Sequence, residues 1–173
     1  MRLTLTLALP RDTFSVPVVR RVLTDAMATL GVLEDCVSDV AVALSEACTN
    51  VLCHAREGDA YEVSAGINER SCVLQVTDKG AGFAADDLGR VDAHPESEFG
   101  RGIQLMRSLV DDLHFERLEA GGTVVRLVKE LAWREGAPLR MLAAALEPAV
   151  GEPPVWEEAV GGPADSGQQN AGQ

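Results

Sequence analysis

The sequence predicts an α+β domain: a two-layer α/β sandwich in which a mixed, mainly antiparallel sheet carries its helices on one face. Three observations predict it. The hydrophobic pattern switches between period two and a helical period in the order β, α, α, β, β, α, β, β, without the regular βα alternation of a doubly wound parallel sheet. Two pairs of consecutive strand-like segments are separated only by turn-forming stretches, as in hairpins. A length of 173 residues, 46% of them apolar and 24% charged, suits one core of ordinary size.

The first strand is RLTLTLAL, Arg2 to Leu9, where polar and apolar residues alternate until Pro10 ends the run. A helix follows, with Ser15 as N-cap, Pro17 in its first turn, and Val18, Val19, Val22, Leu23, Met27 and Leu30 at helical spacing up to Gly31. The second helix spans about Glu34 to Ala55, burying Val37, Val40, Ala41, Leu44, Cys48 and Val51. Beyond the turn-like REGDA, the segments YEVSAGI and CVLQVTD make a hairpin through NERS. Lys79 to Phe99 is a long irregular connection rich in Gly, Asp and Ala, and loops of that length inside a domain are usually functional or disordered. A third helix opens at GRGIQLMRSLV, with Ile103, Met106, Leu109 and Val110 on its apolar face. The strands LHFERLE and TVVRLVKEL then pair through Ala120, Gly121 and Gly122. Residues 1–133 form the predicted domain, and 134–173 an acidic Pro/Gly-rich tail, mostly disordered, in which LRMLAAAL has the composition of a short helix.

The net charge of −12 divides into −8 for residues 1–133 (13 Lys+Arg against 21 Asp+Glu) and −4 for 134–173 (2 against 6). Such a surface argues against sequence-independent nucleic-acid binding, which needs a basic face to release counterions. It leaves nucleotides open, since one triphosphate is handled locally by a metal ion and a few backbone N–H groups. Cys36, Cys48, Cys53 and Cys72 have neither CxxC spacing nor a His at zinc-ligand spacing, and read as reduced. The N-terminus lacks the continuous apolar stretch of a signal peptide, and no 18-residue apolar run exists, so a cytoplasmic protein without membrane contact is expected.

Three segments carry possible chemistry. In LSEACTNVLCHA, the residues Glu46, Asn50 and His54 lie four apart and form one polar row on a helix. Taken alone, such a row is usually a solvated face. In DKGAGF, Asp78 closes a strand as a fixed acceptor suited to an exocyclic amine, and Gly80 and Gly82 allow close backbone approach to a flat ring; taken alone, this is ordinary turn chemistry. In FGRGIQLM, Gly100 and Gly102 open a helix whose exposed N–H groups suit a phosphate, with Arg101 adding charge. The dinucleotide fingerprint would require that GxG directly after the first strand, and no P-loop is present.

The joint order is more specific than its parts. A helix with Glu and then Asn four residues on, a strand ending in Asp-x-Gly-x-Gly, a lid-length loop, a Gly-x-Gly helix start and a late Gly-Gly-Thr strand together resemble the Bergerat ATP-binding fold of the GHKL superfamily, from Leu5 to about Leu131. Within it the chain looks most like the small anti-sigma factor serine kinases of the RsbW type. The resemblance implies ATP and Mg²⁺ as cofactors, with Asn50 supplying its amide oxygen to the metal and Glu46 acting as general base. It further implies that Asp78 binds the adenine amine, that Gly80 and Gly82 line the base pocket, that Gly100, Arg101 and Gly102 hold phosphates, and that Thr123 reinforces the adenine contact. The implied partners are an anti-anti-sigma (STAS-domain) protein, phosphorylated on serine, and a sigma factor, with a homodimer common among relatives. The chain departs from many relatives in having Gln104 where they carry a further Gly. His54 is read as structural and Lys79 as solvated. The competing reading is a non-catalytic, ATP-gated protein-binding module of the same fold, against which the carboxylate of Glu46 argues. A histidine-kinase core is disfavoured because the 45 residues before Glu46 hold no acceptor His.

Overall fold

In a computed structural model of the chain, residues 1–54, 60–78, 98–118 and 121–146 are described. Their elements are β1 (Arg2–Pro10), α1 (Ser15–Leu30), α2 (Glu34–His54), β2 (Ala60–Asn68), β3 (Ser71–Asp78), α3 (Glu98–Leu109), β4 (Asp112–Arg117), β5 (Thr123–Glu130) and α4 (Pro138–Leu146). The strands form one five-stranded sheet in the order β1-β2-β3-β5-β4. Every pairing is antiparallel, so the expected mixed sheet is corrected to a wholly antiparallel one among the described strands. The reason lies in the connection: α3 and β4 return the chain to the edge, and the turn after β4 folds β5 back between β4 and β3.

Alternation along each strand, combined with the register, produces transverse rows on the helix-bearing face. Leu7, Val63, Val76, Val125 and Phe115 form one row across all five strands; Leu5, Ala65, Leu74, Leu127 and Leu113 form the next. Period-two side chains share a face only if the register holds, so a one-residue slip would send both rows into solvent. The other face carries Thr6, Ser64, Gln75, Arg126 and His114 in a single polar row. The turn between β2 and β3 is fixed by Asn68, whose Oδ1 accepts from the N–H groups of Arg70 at 2.8 Å and Ser71 at 2.9 Å.

Helix α2 is the central element. Val40, Ala43, Leu44, Ala47, Cys48 and Val51 are all buried, a stripe too wide for a helix covered on one side only. It packs on β3 and β5 and is flanked by α1 and α3. Its Glu34–Cys53 stretch is long and apolar enough to cross a membrane by length and composition, yet Val40, Leu44, Cys48 and Val51 within it are core contacts here, while Val42 is exposed. Full burial of Leu23, Met27, Leu44 and Met106 makes each worth about 2–5 kcal/mol against truncation to alanine.

Two local expectations are corrected. β1 ends at Pro10, opposite Ala60, one residue beyond the expected Leu9, and the edge position allows a proline there because no neighbouring strand needs its missing N–H. Ser15 is not an N-cap: the cap is Phe14, without a side-chain hydrogen bond, and Ser15 is the first helical residue. Its hydroxyl instead donates to Asp12 O at 2.6 Å and meets Tyr61 Oη at 2.6 Å, a buried contact that outweighs local capping. Gly31 ends α1 as expected, in the left-handed conformation with φ 90°. A Cβ there would lie 2.8 Å from Ala137 Cα, because the chain after β5 returns to this corner. That return is pinned by Leu33 N to Ala132 O (2.8 Å) and Arg134 N to Gly31 O (2.8 Å), and by Leu139, fully buried at the start of α4.

Candidate functional site

The end of the sheet differs from its middle. Continuing the rows, Leu9 lies opposite Tyr61, Tyr61 opposite Asp78, and Asp78 opposite Thr123. Asp78 and Thr123 are 1% and 3% exposed, so the phase that buries valines elsewhere here buries a carboxylate beside a hydroxyl. Burying a charge is costly unless it is paired. Arg11 supplies the partner: its Nη2 stands 3.5 Å from Asp78 Oδ1 and also donates to Val51 O at 3.0 Å, in the last turn of α2. On the same row, Tyr61 hydrogen-bonds Ser15 and approaches Cys48, and burial pushes both the phenol and the Cys48 thiol up to about 12. Both stay protonated at neutral pH.

The polar row on α2 meets α3. A Cβ added at Gly102 would sit 2.8 Å from Glu46 Oε2 and 3.8 Å from Asn50 Oδ1. Glycine at 102 therefore lets α3 close over the two side chains, and Asn50 becomes 6% exposed while Glu46 stays half-buried. Asn50 Nδ2 is buried with no hydrogen-bond partner among the described residues. An unsatisfied buried amide costs about 1–3 kcal/mol, a cost that a ligand taking up the group would remove. Helix α3 begins at Glu98, so Gly100 lies in the first turn, where backbone N–H groups have no intrahelical acceptor. Arg101 is exposed beside it. The far end of α3 is held by Lys129, whose Nζ donates to Leu109 O at 2.8 Å and pairs with Asp39 Oδ2 of α2 at 2.8 Å.

The arrangement thus brings Glu46, Asn50 and Gly102 together at the α2–α3 contact, and Asp78 and Thr123 together at the sheet end. Gly80, Gly82 and Lys79 lie outside the described residues, and His54 is the last residue of α2. Among the described residues there is no cluster of three or more His, Cys, Asp or Glu able to cage a metal. A Mg²⁺ site of one protein oxygen completed by phosphate oxygens and water needs no such cage, and the donor set at Asn50 fits that chemistry. Arg11 escaped the sequence reading, though a signal existed: it continues the odd-numbered inward phase of Leu3, Leu5, Leu7 and Leu9 by one step.

The family model described as the histidine kinase-like ATPase domain matches residues 9–129. Serine-protein kinase RsbW of Halalkalibacterium halodurans is 32% identical over 137 residues, which cover 74% of this chain and 83% of that protein. The protein of the same name from Bacillus thuringiensis is 28% identical over 146 residues, covering 76% and 89%. Among solved structures, a Mycobacterium tuberculosis chain with RsbU and RsbW domains superposes with a TM-score of 0.57 at 20% identity, covering 75% of this chain and 32% of that one. The chain spans about a third of that longer protein, and the likeness shows the fold. With the matched region running from the end of β1 through β5, and with the α2–α3 contact and the buried Asp78 inside it, this chain belongs to the histidine kinase-like ATPase family, among its RsbW-type members.

Proposed function

We propose that the chain is an ATP-dependent serine kinase of a partner-switching system. It transfers the γ-phosphoryl group of ATP to a serine of a small anti-anti-sigma (STAS-domain) protein, and it sequesters a sigma factor once that antagonist is phosphorylated. The observation that carries the reading is the convergence of Glu46, Asn50 and Gly102, with Glu46 Oε2 only 2.8 Å from where a Cβ at Gly102 would stand. The names of the relatives, serine-protein kinase RsbW, support the activity.

Asp78 accepts a hydrogen bond from the exocyclic amine of adenine, Thr123 beside it reinforces the contact, and Gly80 and Gly82 line the base pocket. Gly100, Arg101 and Gly102 hold phosphates at the positive end of α3. Asn50 Oδ1 would hold Mg²⁺, which when bound neutralises charge on the phosphates. Glu46 accepts the proton of the attacking serine hydroxyl as general base, a role worth about 10²–10⁴ in rate. The protein works in the cytoplasm without contacting nucleic acid or membrane.

The test is transfer of labelled γ-phosphate from Mg-ATP to proteins of the source cell's lysate, comparing wild type with Glu46→Ala. Label on the serine of a small protein, lost in the variant, is the expected result. Failure of the wild type to label any protein while both forms bind ATP would overturn the kinase and favour the non-catalytic module.

A further inference from the structure

Arg11 links the end of β3 to the last turn of α2, through Asp78 Oδ1 and Val51 O. It is the first residue after β1, and Asp12 N donating to Pro10 O at 2.9 Å puts it at the apex of a tight turn. That turn is fixed on its other side, where Asp12 Oδ1 accepts from Phe14 N at 2.8 Å and Asp12 O accepts from Ser15. From this anchored backbone the guanidinium, 15% exposed, reaches Val51 O at 3.0 Å and Asp78 Oδ1 at 3.5 Å. Val51 directly follows Asn50, and its carbonyl belongs to the last turn of α2, where helix carbonyls lack intrahelical donors and a cation is favoured. Both acceptors face Nη2 in the fixed plane of the guanidinium, an orientation that a freely rotating ammonium does not impose.

We infer that Arg11 is a positioning residue for purine selectivity: by holding one oxygen of Asp78 and the end of α2 together, it aims the carboxylate as a pure acceptor at a 6-amino group. The inference rests on the proposed nucleotide site and names what enforces its choice of base. An ionised carboxylate is acceptor-only, so it pairs with the 6-amino group of adenine and repels the 6-oxo group of hypoxanthine. Without the guanidinium, the carboxylate loses its fixed orientation and that discrimination declines.

The test compares binding of ATP and ITP, in which a 6-oxo group replaces the 6-amino group and N1 changes from an acceptor to an N–H donor, by competition against a fluorescent ATP analogue. The proteins are wild type, Arg11→Gln and Arg11→Lys, with melting curves recorded for each. Wild type is expected to prefer ATP. Arg11→Gln should lose about tenfold in ATP affinity with ITP affinity nearly unchanged, the size expected for a hydrogen bond involving a charged group. Arg11→Lys should lie between them, which also covers the case in which Arg11→Gln fails to fold. A merely structural role would weaken both nucleotides alike. If the variants keep the wild-type ratio of affinities, or lose both nucleotides in parallel, the assignment of Arg11 is overturned while the nucleotide site stands. A wild-type chain that binds no ATP overturns the site itself and this inference with it.

Discussion

Replacing Gly102 with alanine separates stability from activity in a way that tests the α2–α3 contact directly. The added Cβ would lie 2.8 Å from Glu46 Oε2, against the 3.4 Å at which ordinary contact begins, so the carboxylate must move by about 0.6 Å. The obstructing atom is the end of a flexible side chain, and Asn50 Oδ1 at 3.8 Å is not crowded. The fold therefore accommodates the methyl group. Gly102 sits inside α3, where alanine is favoured over glycine by about 0.8–1 kcal/mol. The melting temperature should hold or rise, by up to about 2–4 °C for a chain of this size. Turnover should fall, because displacing a catalytic group by about 1 Å costs on the order of 10²-fold. Thermal melts paired with single-turnover phosphotransfer at saturating ATP make the measurement. The expected signature is a stable, slow enzyme. A Gly102→Ala protein with wild-type turnover would refute the reasoning, since Glu46 would then not depend on the space that glycine leaves.

Three further outcomes are expected. Asp78→Asn should weaken ATP binding by about 10- to 100-fold through loss of a charged acceptor, measured by isothermal titration; an unchanged affinity would remove Asp78 from the base pocket. Lys129→Met should cost about 1–2 kcal/mol by freeing Leu109 O and Asp39. Asp39 holds the Lys129 ammonium above its ordinary range, so its contribution is complete below about pH 10.4 and is lost as pH rises through the raised value. The melting difference between wild type and variant should accordingly stay constant from about pH 6 to 9 and narrow only in strong alkali. For the cysteines, burial pushes Cys48 and Cys72 up to about 12, whereas Cys53 is exposed. A thiol reagent near pH 8 should label Cys53 rapidly and leave Cys48 and Cys72 until the chain unfolds, as mass spectrometry of the labelled peptides would show.

The element order and the strand faces were legible because period two and period 3.6 are local properties of side-chain direction: Leu3, Leu5, Leu7 and Leu9 declare β1, and Val19, Leu23 and Met27 declare α1. The same local logic put Glu46 and Asn50 on one row of α2 and Asp78 at the end of β3. Three features were not local. That the row on α2 is covered rather than solvated depends on α3 and the missing side chain of Gly102, more than fifty residues further along. That Ser15 turns from the cap position to Tyr61 depends on a partner 46 residues away. That Asp78 has Arg11 as its counter-ion depends on β1 and β3 flanking β2, so that the turn after β1 comes back beside the end of β3. The sequence by itself determined the order of the elements and which face each side chain takes, since both follow from residue type and backbone period. Only the tertiary structure decided which of them meet, because burial, ion pairing and steric contact are properties of distance in space, and strand order and helix docking set those distances.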